Sequence, residues 1–545
     1  MAKTTKVDTI DTAAITALIE RVEYSIEHNL ALTIEDMKLL LLAITTLCTL
    51  QQKMEQDDIT LYKLRKLLGM VKQCEQRRKR TGKNGQRSSH NKKNNKENRQ
   101  ARTKKQAPPQ VIHHKLTDYH RGDTCPDCQR GKLYKYELGK LLRITGHAPF
   151  EATEHITEQL RCNACQKVYK ASLPAEVLAD GSANQRYGYS ARTLMVIYKF
   201  YSGLPYYHQG TLADIFHQSI SASTVFDQCE QVSDAVMPVF YALRRLAANA
   251  KQFLLDDTHH RILDQQPELR DKRHGKGQRW RTGVYSSGLI AQLPEGNEIV
   301  LFETSLGHAG EHLDTLLKKR APGLPPPLTM SDALTSNKAT VATTRSAYCN
   351  AHARRQFFDL ESLYPKDVEW VLETYSAIWQ AEDEVREKGL TEQQRLTYHQ
   401  EHSLPAMEKI KEWATRKRAS PAFEEHSAMG KAIQYFLRHY DRLILFCVEP
   451  GALIDNNRME EKLKLLIRGR KTSHFYKTAV GADVANVLLS LIATAYGASV
   501  NLFDYLLALQ KNSEAVKANP ETWLPWNYEA TLMTVDKEQE DLQAA

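Results

Sequence analysis

From Gln252 onward the hydrophobic period of the chain changes. The runs "QFLLDDT", "RWRTGVYSS", "EIVLFETS", "PLTMSDA" and "RSAYCNAH" are short, apolar or β-branched, and separated by turns and one helical stretch. That pattern predicts a mixed α/β sheet. Two of the runs end in acids, "FLLDDT" at Asp256 and "LTMSD" at Asp332. A buried strand ending in a carboxylate delivers it to the carboxyl edge of a sheet, where ligands bind. Asp256 and Asp332 are therefore candidates to meet at the ends of neighbouring strands. Taken singly, each is more often a turn or cap residue.

A third acid follows in "LIDNNRMEEKLKLLIRGRK", Leu453 to Lys471. The bland reading makes Asn457 the N-cap of a helix and Glu460 its capping-box partner. Against it, Glu460, Lys464, Ile467, Arg468 and Lys471 share helical spacing, a mainly basic face beside an acid. Such a face suits a divalent metal held over a phosphate backbone. Three converging carboxylates are what two-metal phosphodiester chemistry requires.

The charge is segregated. Residues 75–106 hold 13 Lys/Arg against 2 Glu, more than the whole chain's net charge of +9. Arg77, Arg78, Lys79 and Arg80 open this segment, which is too polar to bury a core and reads as a phosphate-binding arm or a solvated linker. Upstream, Leu40, Leu47, Met54, Leu61 and Leu68 recur every seven residues, as in a short coiled coil, a small DNA-binding module or an amphipathic helix. The run "VANVLLSLIATAYGASVNLF" at 484–503 includes two Asn and two Ser and reads as a buried helix, not a membrane span. With no signal peptide at Met1, the expected setting is cytoplasmic, in a bacterium and associated with the nucleoid.

The organisation follows: a helical module at 1–74, a basic linker at 75–115, a cysteine-containing unit at 116–180, helix-turn-helix-like helices at 181–250, a first core part at 251–360, a helical block at 361–450, a second core part with the glutamate helix at 451–512, and a C-terminal tail at 513–545 whose last residues, "MTVDKEQEDLQAA", read as solvated. Cys125 and Cys128 ("CPDC") and Cys162 and Cys165 ("CNAC") each set two thiols on a tight turn. Two such turns close a tetrahedral structural Zn²⁺ site, the alternative being unpaired redox or surface thiols.

Two other motifs carry less. "HAGEH" at 308–312 formally reads as a zinc-protease His-x-x-Glu-His, but Gly310 weakens a ligand helix. Cys349 and His352 in "CNAHARRQFF" lack the third group that a nucleophile pair needs. That segment reads as a strand-to-helix turn, with Arg354 and Arg355 as phosphate contacts.

Across roughly 110–512, "GDTCPDCQRGKLY", "LRCNACQKVY", "YSGLPYY", "LLDDT", "HAGEHL", "MSDALTSN", "CNAHARRQF", "GALIDNNRMEEKLK" and "RKTSHFYKT" occur in one order. In these motifs the chain resembles the insertion sequence 66 family of transposases. The resemblance implies a DDE enzyme with an α/β ribonuclease-H-like core, a mixed sheet flanked by helices. The core carries a helical insertion and is preceded by a zinc ribbon and helical DNA-binding or oligomerisation modules. It makes Asp256, Asp332 and Glu460 the ligands of two Mg²⁺ (or Mn²⁺) ions, and the activity DNA cleavage and strand transfer. One departure stands out, since the family usually has Arg where this chain has Glu461. Lys464, Arg468, Arg470 and Lys471 become candidate phosphate contacts. The expected partners are the terminal inverted repeats of the element, target DNA, further copies of the chain and accessory proteins of the same element. The alternative is an inactive, zinc-containing DNA-binding regulator derived from a transposase, and a plain nuclease is a further rival.

Overall fold

The computed structural model describes residues 12–28, 30–41, 121–124, 129, 132, 149–161, 168–272, 277–420 and 423–544. The chain divides into two compact units, Met1–Gly139 and Lys140–Ala545. In the first, helix α1 (Thr12–Glu27) is followed by α2 over 34–41. Thr33 caps α2, its hydroxyl accepting from Asp36 N at 3.1 Å and donating to Asp36 Oδ2 at 2.7 Å. Arg21 of α1 pairs with the same carboxylate at 2.9 Å. Heptad positions Leu47 to Leu68, Arg77, Arg78, Lys79, Arg80 and the four paired cysteines lie outside the described residues.

The second unit opens with an antiparallel ribbon, β1 (Gln159–Arg161) and β2 (Val168–Lys170). Helices α3 (Tyr189–Val196), α4 (Tyr206–Ile215) and α5 (Ala222–Ala247) follow. Ser221 caps α5, its hydroxyl accepting from Thr224 N at 3.1 Å to satisfy a free helix N–H. Val225, Cys229, Val232, Val236 and Val239 form one buried face of α5 at steps of three and four. That face lies in the same hydrophobic core as the sheet.

The chain then runs through β3 (Gln252–His260), a small ribbon of β4 (Glu268–Asp271) and β5 (Gln278–Arg281), β6 (Val284–Gln292), β7 (Glu298–Ser305), helix α6 (Ala309–Leu317), β8 (Leu328–Ser331) and β9 (Arg345–Tyr348). The main sheet has the order β7-β6-β3-β8-β9. β3 pairs antiparallel with β6 and parallel with β8, so it is central. Its first four residues are all buried, and Phe253, Leu254 and Leu255 among them form the continuous apolar run of a strand covered on both faces. The sheet is thus mixed and flanked by helices, as the period change predicts.

After β9, α7 (Asn350–Phe358) leads into four helices, α8 (Pro365–Lys388), α9 (Glu392–His402), α10 (Leu404–Ala419) and α11 (Ala428–Leu443). They build a separate hydrophobic cluster around Phe357, Tyr375, Ile410 and Phe436. Asn350 ties that block to the sheet, donating from Nδ2 to Leu443 O at 2.8 Å and Ile454 O at 3.2 Å. The chain then returns with α12 (Asn457–Ser473), α13 (Ala479–Gly497), α14 (Leu502–Lys511) and α15 (Tyr528–Ala544).

α13 is long and apolar enough to cross a membrane, yet most of it is buried within the protein. It covers the edge strand β7. Asn486, Ser490 and Thr494, four residues apart, accept from the backbone N–H of Thr304 (2.9 Å), Phe302 (2.8 Å) and Val300 (3.0 Å), two residues apart. Four helical residues rise about 6 Å and two strand residues about 6.6 Å, so the two repeats stay in step. The exposed edge that invites foreign strand pairing is thereby closed.

The C-terminal segment at 513–545 does not leave the fold as an extended tail. Ser513–Ala518 and α15 are helical. Val516, Trp523, Leu524 and Tyr528 are buried in the main core, because these apolar residues sit close enough in sequence to fold back as one patch.

Candidate active site

The last paired residues of β3 and β8 are Leu254 and Met330. Two residues further along the chain from each stand Asp256, within β3, and Asp332, just past the end of β8, so the parallel register brings the two acids level. Asp256 Oδ1 accepts from Asp257 N at 2.8 Å. Asp332 Oδ1 is oriented by Asn337 Nδ2 at 2.7 Å and Leu334 N at 3.2 Å.

Glu460 reaches the same place from α12. The helix begins one residue earlier than the motif suggests, with Asn456 and not Asn457 at the N-cap position. The physical reason lies in Asp455, whose carboxylate accepts from Asn457 N at 3.1 Å and Asn457 Nδ2 at 2.9 Å. Asn457 is therefore the first helical residue, and the capping-box role for Glu460 falls away. Asn456 is fully buried and joins three elements. Its Nδ2 donates to Leu255 O at 2.8 Å, its N to Cys349 Sγ at 3.2 Å, and its carbonyl accepts from Glu460 N at 3.2 Å. On β6, Gly288 lies opposite Asp256. A Cβ there would stand 2.3 Å from Met459 Cε and 3.1 Å from Leu463 Cδ2. The missing side chain is what lets α12 lie this close over β3 and β6.

Burial pushes the Asp256 carboxyl up to about 7, its backbone hydrogen bond acts in the other direction, and the charges of Asp332 and Glu460 add to the rise. The three acids thus share one electrostatic site. Glu461, on the next position of the helix, is exposed, whereas Glu460 is partly buried. A cluster of half-buried carboxylates, in which the charges of Asp332 and Glu460 act on Asp256, is a donor set suited to hard divalent cations.

The second aspartate of "DDT" has a different job. Asp257 accepts from Ser287 Oγ at 2.5 Å and Ala309 N at 2.9 Å, and its Oδ2 lies 3.0 Å from His308 Nδ1. It anchors the start of α6. The "HAGEH" residues accordingly diverge: His308 meets Asp257, Glu311 pairs with Arg281 at 2.5 Å, and His312 lies 3.6 Å from Glu303. They do not form a zinc-protease ligand set.

The candidate phosphate contacts divide by partner. Lys464 and Lys471 are exposed. Arg468 donates to Tyr201 O at 2.6 Å, and Arg470 to Thr258 Oγ1 at 2.7 Å and to the His259 carbonyl, bracing α12 against its neighbours. Arg354 stacks over Phe358 at 5.6 Å, and Arg355 is exposed. His352, dismissed above with Cys349, faces Glu460, its Nδ1 3.7 Å from Oε1. The signal available in the sequence was its place one turn into the helix that follows β9.

Residues 185–484, more than half of the chain, match the family described as "Transposase IS66 family". The chain belongs to that family, and its function is transposase-related. Among its relatives is the uncharacterized protein y4hP of Sinorhizobium fredii, 26% identical over 397 residues that cover 68% of this chain and 67% of that one. The uncharacterized protein y4jD of the same organism is 26% identical over 384 residues, covering 69% and 72%. Family membership implies DNA binding, DNA-cleaving or DNA-transferring activity, and use of a divalent metal.

Proposed function

We propose that the chain is a DDE transposase that cuts and joins DNA strands at the ends of an insertion sequence. The observation that supports this most directly is the convergence of Asp256, Asp332 and Glu460 on one edge of the sheet, with Asp256 pushed up to about 7 by burial and by the other two acids. The strand order, with one central strand antiparallel on one side and parallel on the other, supports reading the core as ribonuclease-H-like.

In this reading Asp256, Asp332 and Glu460 hold two Mg²⁺ or Mn²⁺ ions. When bound, such ions polarise the phosphodiester and lower the proton affinity of the attacking oxygen. Asn456 and Gly288 hold the Glu460 helix against the Asp256 strand, and Asn337 holds the Asp332 carboxylate. Exposed Lys464, Lys471 and Arg355, with the basic arm containing Arg77, Arg78, Lys79 and Arg80, contact DNA phosphates, giving salt-dependent affinity. A structural Zn²⁺ on Cys125, Cys128, Cys162 and Cys165 is proposed from the thiol spacing. The helical block at 361–450 is proposed to contact DNA or a second copy of the chain.

The test is binding and cleavage of DNA carrying the flanking inverted repeats. The reading expects Mg²⁺-dependent cleavage that Asp256→Asn, Asp332→Asn and Glu460→Gln each abolish while leaving DNA binding intact. Tight binding without cleavage by the wild type, with any accessory proteins of the element supplied, favours the inactive regulator.

A further inference from the structure

We propose that His352 ligates a divalent cation through Nδ1, sharing that ion with Glu460. The proposal rests on the carboxylate centre proposed above and adds a nitrogen donor to it.

His352 Nδ1 is buried and has no hydrogen-bond partner, which for a ring nitrogen beside a carboxylate calls for an explanation. It lies 3.7 Å from Glu460 Oε1, too long for a hydrogen bond. Two donor atoms bound to one ion at about 2.1 Å each sit roughly 3–4 Å apart, so the pair has the spacing of co-ligands. Cys349 Sγ, a His352 ring nitrogen and a Glu460 oxygen all lie within 4.8 Å of one another. The thiol is fully buried and already accepts from Asn456 N, so Cys349 positions the two helix starts and is not the ligand.

The placement is over-determined by the backbone. Asn350 N donates to Ile454 O at 3.0 Å, and Asn350 Nδ2 bonds to Leu443 O and Ile454 O. With the Asn456–Cys349 contact, these bonds stitch the start of α7 to the chain that leads into α12. His352 and Glu460 project from the first turns of those two helices. A metal ligand needs this kind of fixed presentation. An imidazole donor also tilts a site from Mg²⁺ towards first-row transition ions.

The probe is Mn²⁺ titrated into the full-length chain without DNA, read by electron paramagnetic resonance. Wild type, His352→Ala, His352→Gln, Cys349→Ala and Glu460→Gln are compared, with unfolding midpoints to confirm that each variant folds. Expected are a ¹⁴N modulation from imidazole in the wild type and its loss in both His352 variants, with Mn²⁺ affinity falling about tenfold or more, while Cys349→Ala keeps the modulation. Equal Mn²⁺ affinity in wild type and both His352 variants, while Glu460→Gln loses binding, overturns the His352 role and leaves the carboxylate centre standing. Binding unaffected by Glu460→Gln as well overturns both.

Discussion

The side-chain amide of Asn456 donates to the carbonyl of Leu255 at 2.8 Å. The residue before the glutamate helix is thus bonded to the residue before Asp256. Asn456 is fully buried, so Asn456→Ala leaves a carbonyl unpaired in the interior. Unfolding in urea should show a loss of about 2 kcal/mol. DNA cleavage should fall by a larger factor than the folded fraction does, because the Glu460 helix loses its register on β3.

Gly288 makes a second prediction about the same helix. Gly288→Ala places a methyl group 2.3 Å from Met459 Cε, so either Met459 repacks or α12 lifts. Cleavage should drop at least tenfold while circular dichroism stays unchanged. The double variant Gly288→Ala/Met459→Ala should recover part of the loss, and failure of any recovery would contradict the close-approach argument.

The two neighbouring aspartates should separate cleanly. Asp257 holds Ser287, Ala309 N and His308, so Asp257→Ala should destabilise the fold by about 3 kcal/mol. Asp256→Ala should abolish cleavage without that loss of stability. Thermal melts and cleavage assays on the two variants check both halves.

Asp256 also gives a pH dependence. Its folded-state pKa, about 7, lies above the ordinary value of 3.8. Its contribution to stability in metal-free protein is therefore fully present below about pH 4 and lost as pH rises through about 7. Relative to Asp256→Asn, the metal-free wild type should lose stability between pH 5 and pH 8, on the order of 1–2 kcal/mol after allowing for solvent screening. Adding Mg²⁺ at pH 8 should raise the melting temperature of the wild type more than that of Asp256→Asn.

What the sequence made legible is what local pattern controls. The apolar runs ending at Asp256 and Asp332 announce strands that carry acids to one edge, and the change of period announces a mixed sheet. What it hid depends on contacts between distant segments. Nothing local distinguishes Asp257 from Asp256, because the difference is made by Ser287 and the start of α6. Gly288 carries no turn signal, and its meaning is the thioether of Met459 above it. The N-cap falls one residue early because Asp455 competes for Asn457. His352 looked like half of an incomplete nucleophile pair until the fold set it against Glu460.

In the proposed function, Glu460 forms with Asp256 and Asp332 the catalytic centre of a strand-cleaving and strand-joining enzyme. The direct measurement incubates purified chain and Mg²⁺ with DNA bearing the flanking inverted repeats and scores both nicking and joining. Wild type is set beside Glu460→Gln and Glu461→Gln. Glu460→Gln should lose both products and Glu461→Gln should keep them. Loss confined to Glu461→Gln, or nicking that never proceeds to joining, would contradict that function.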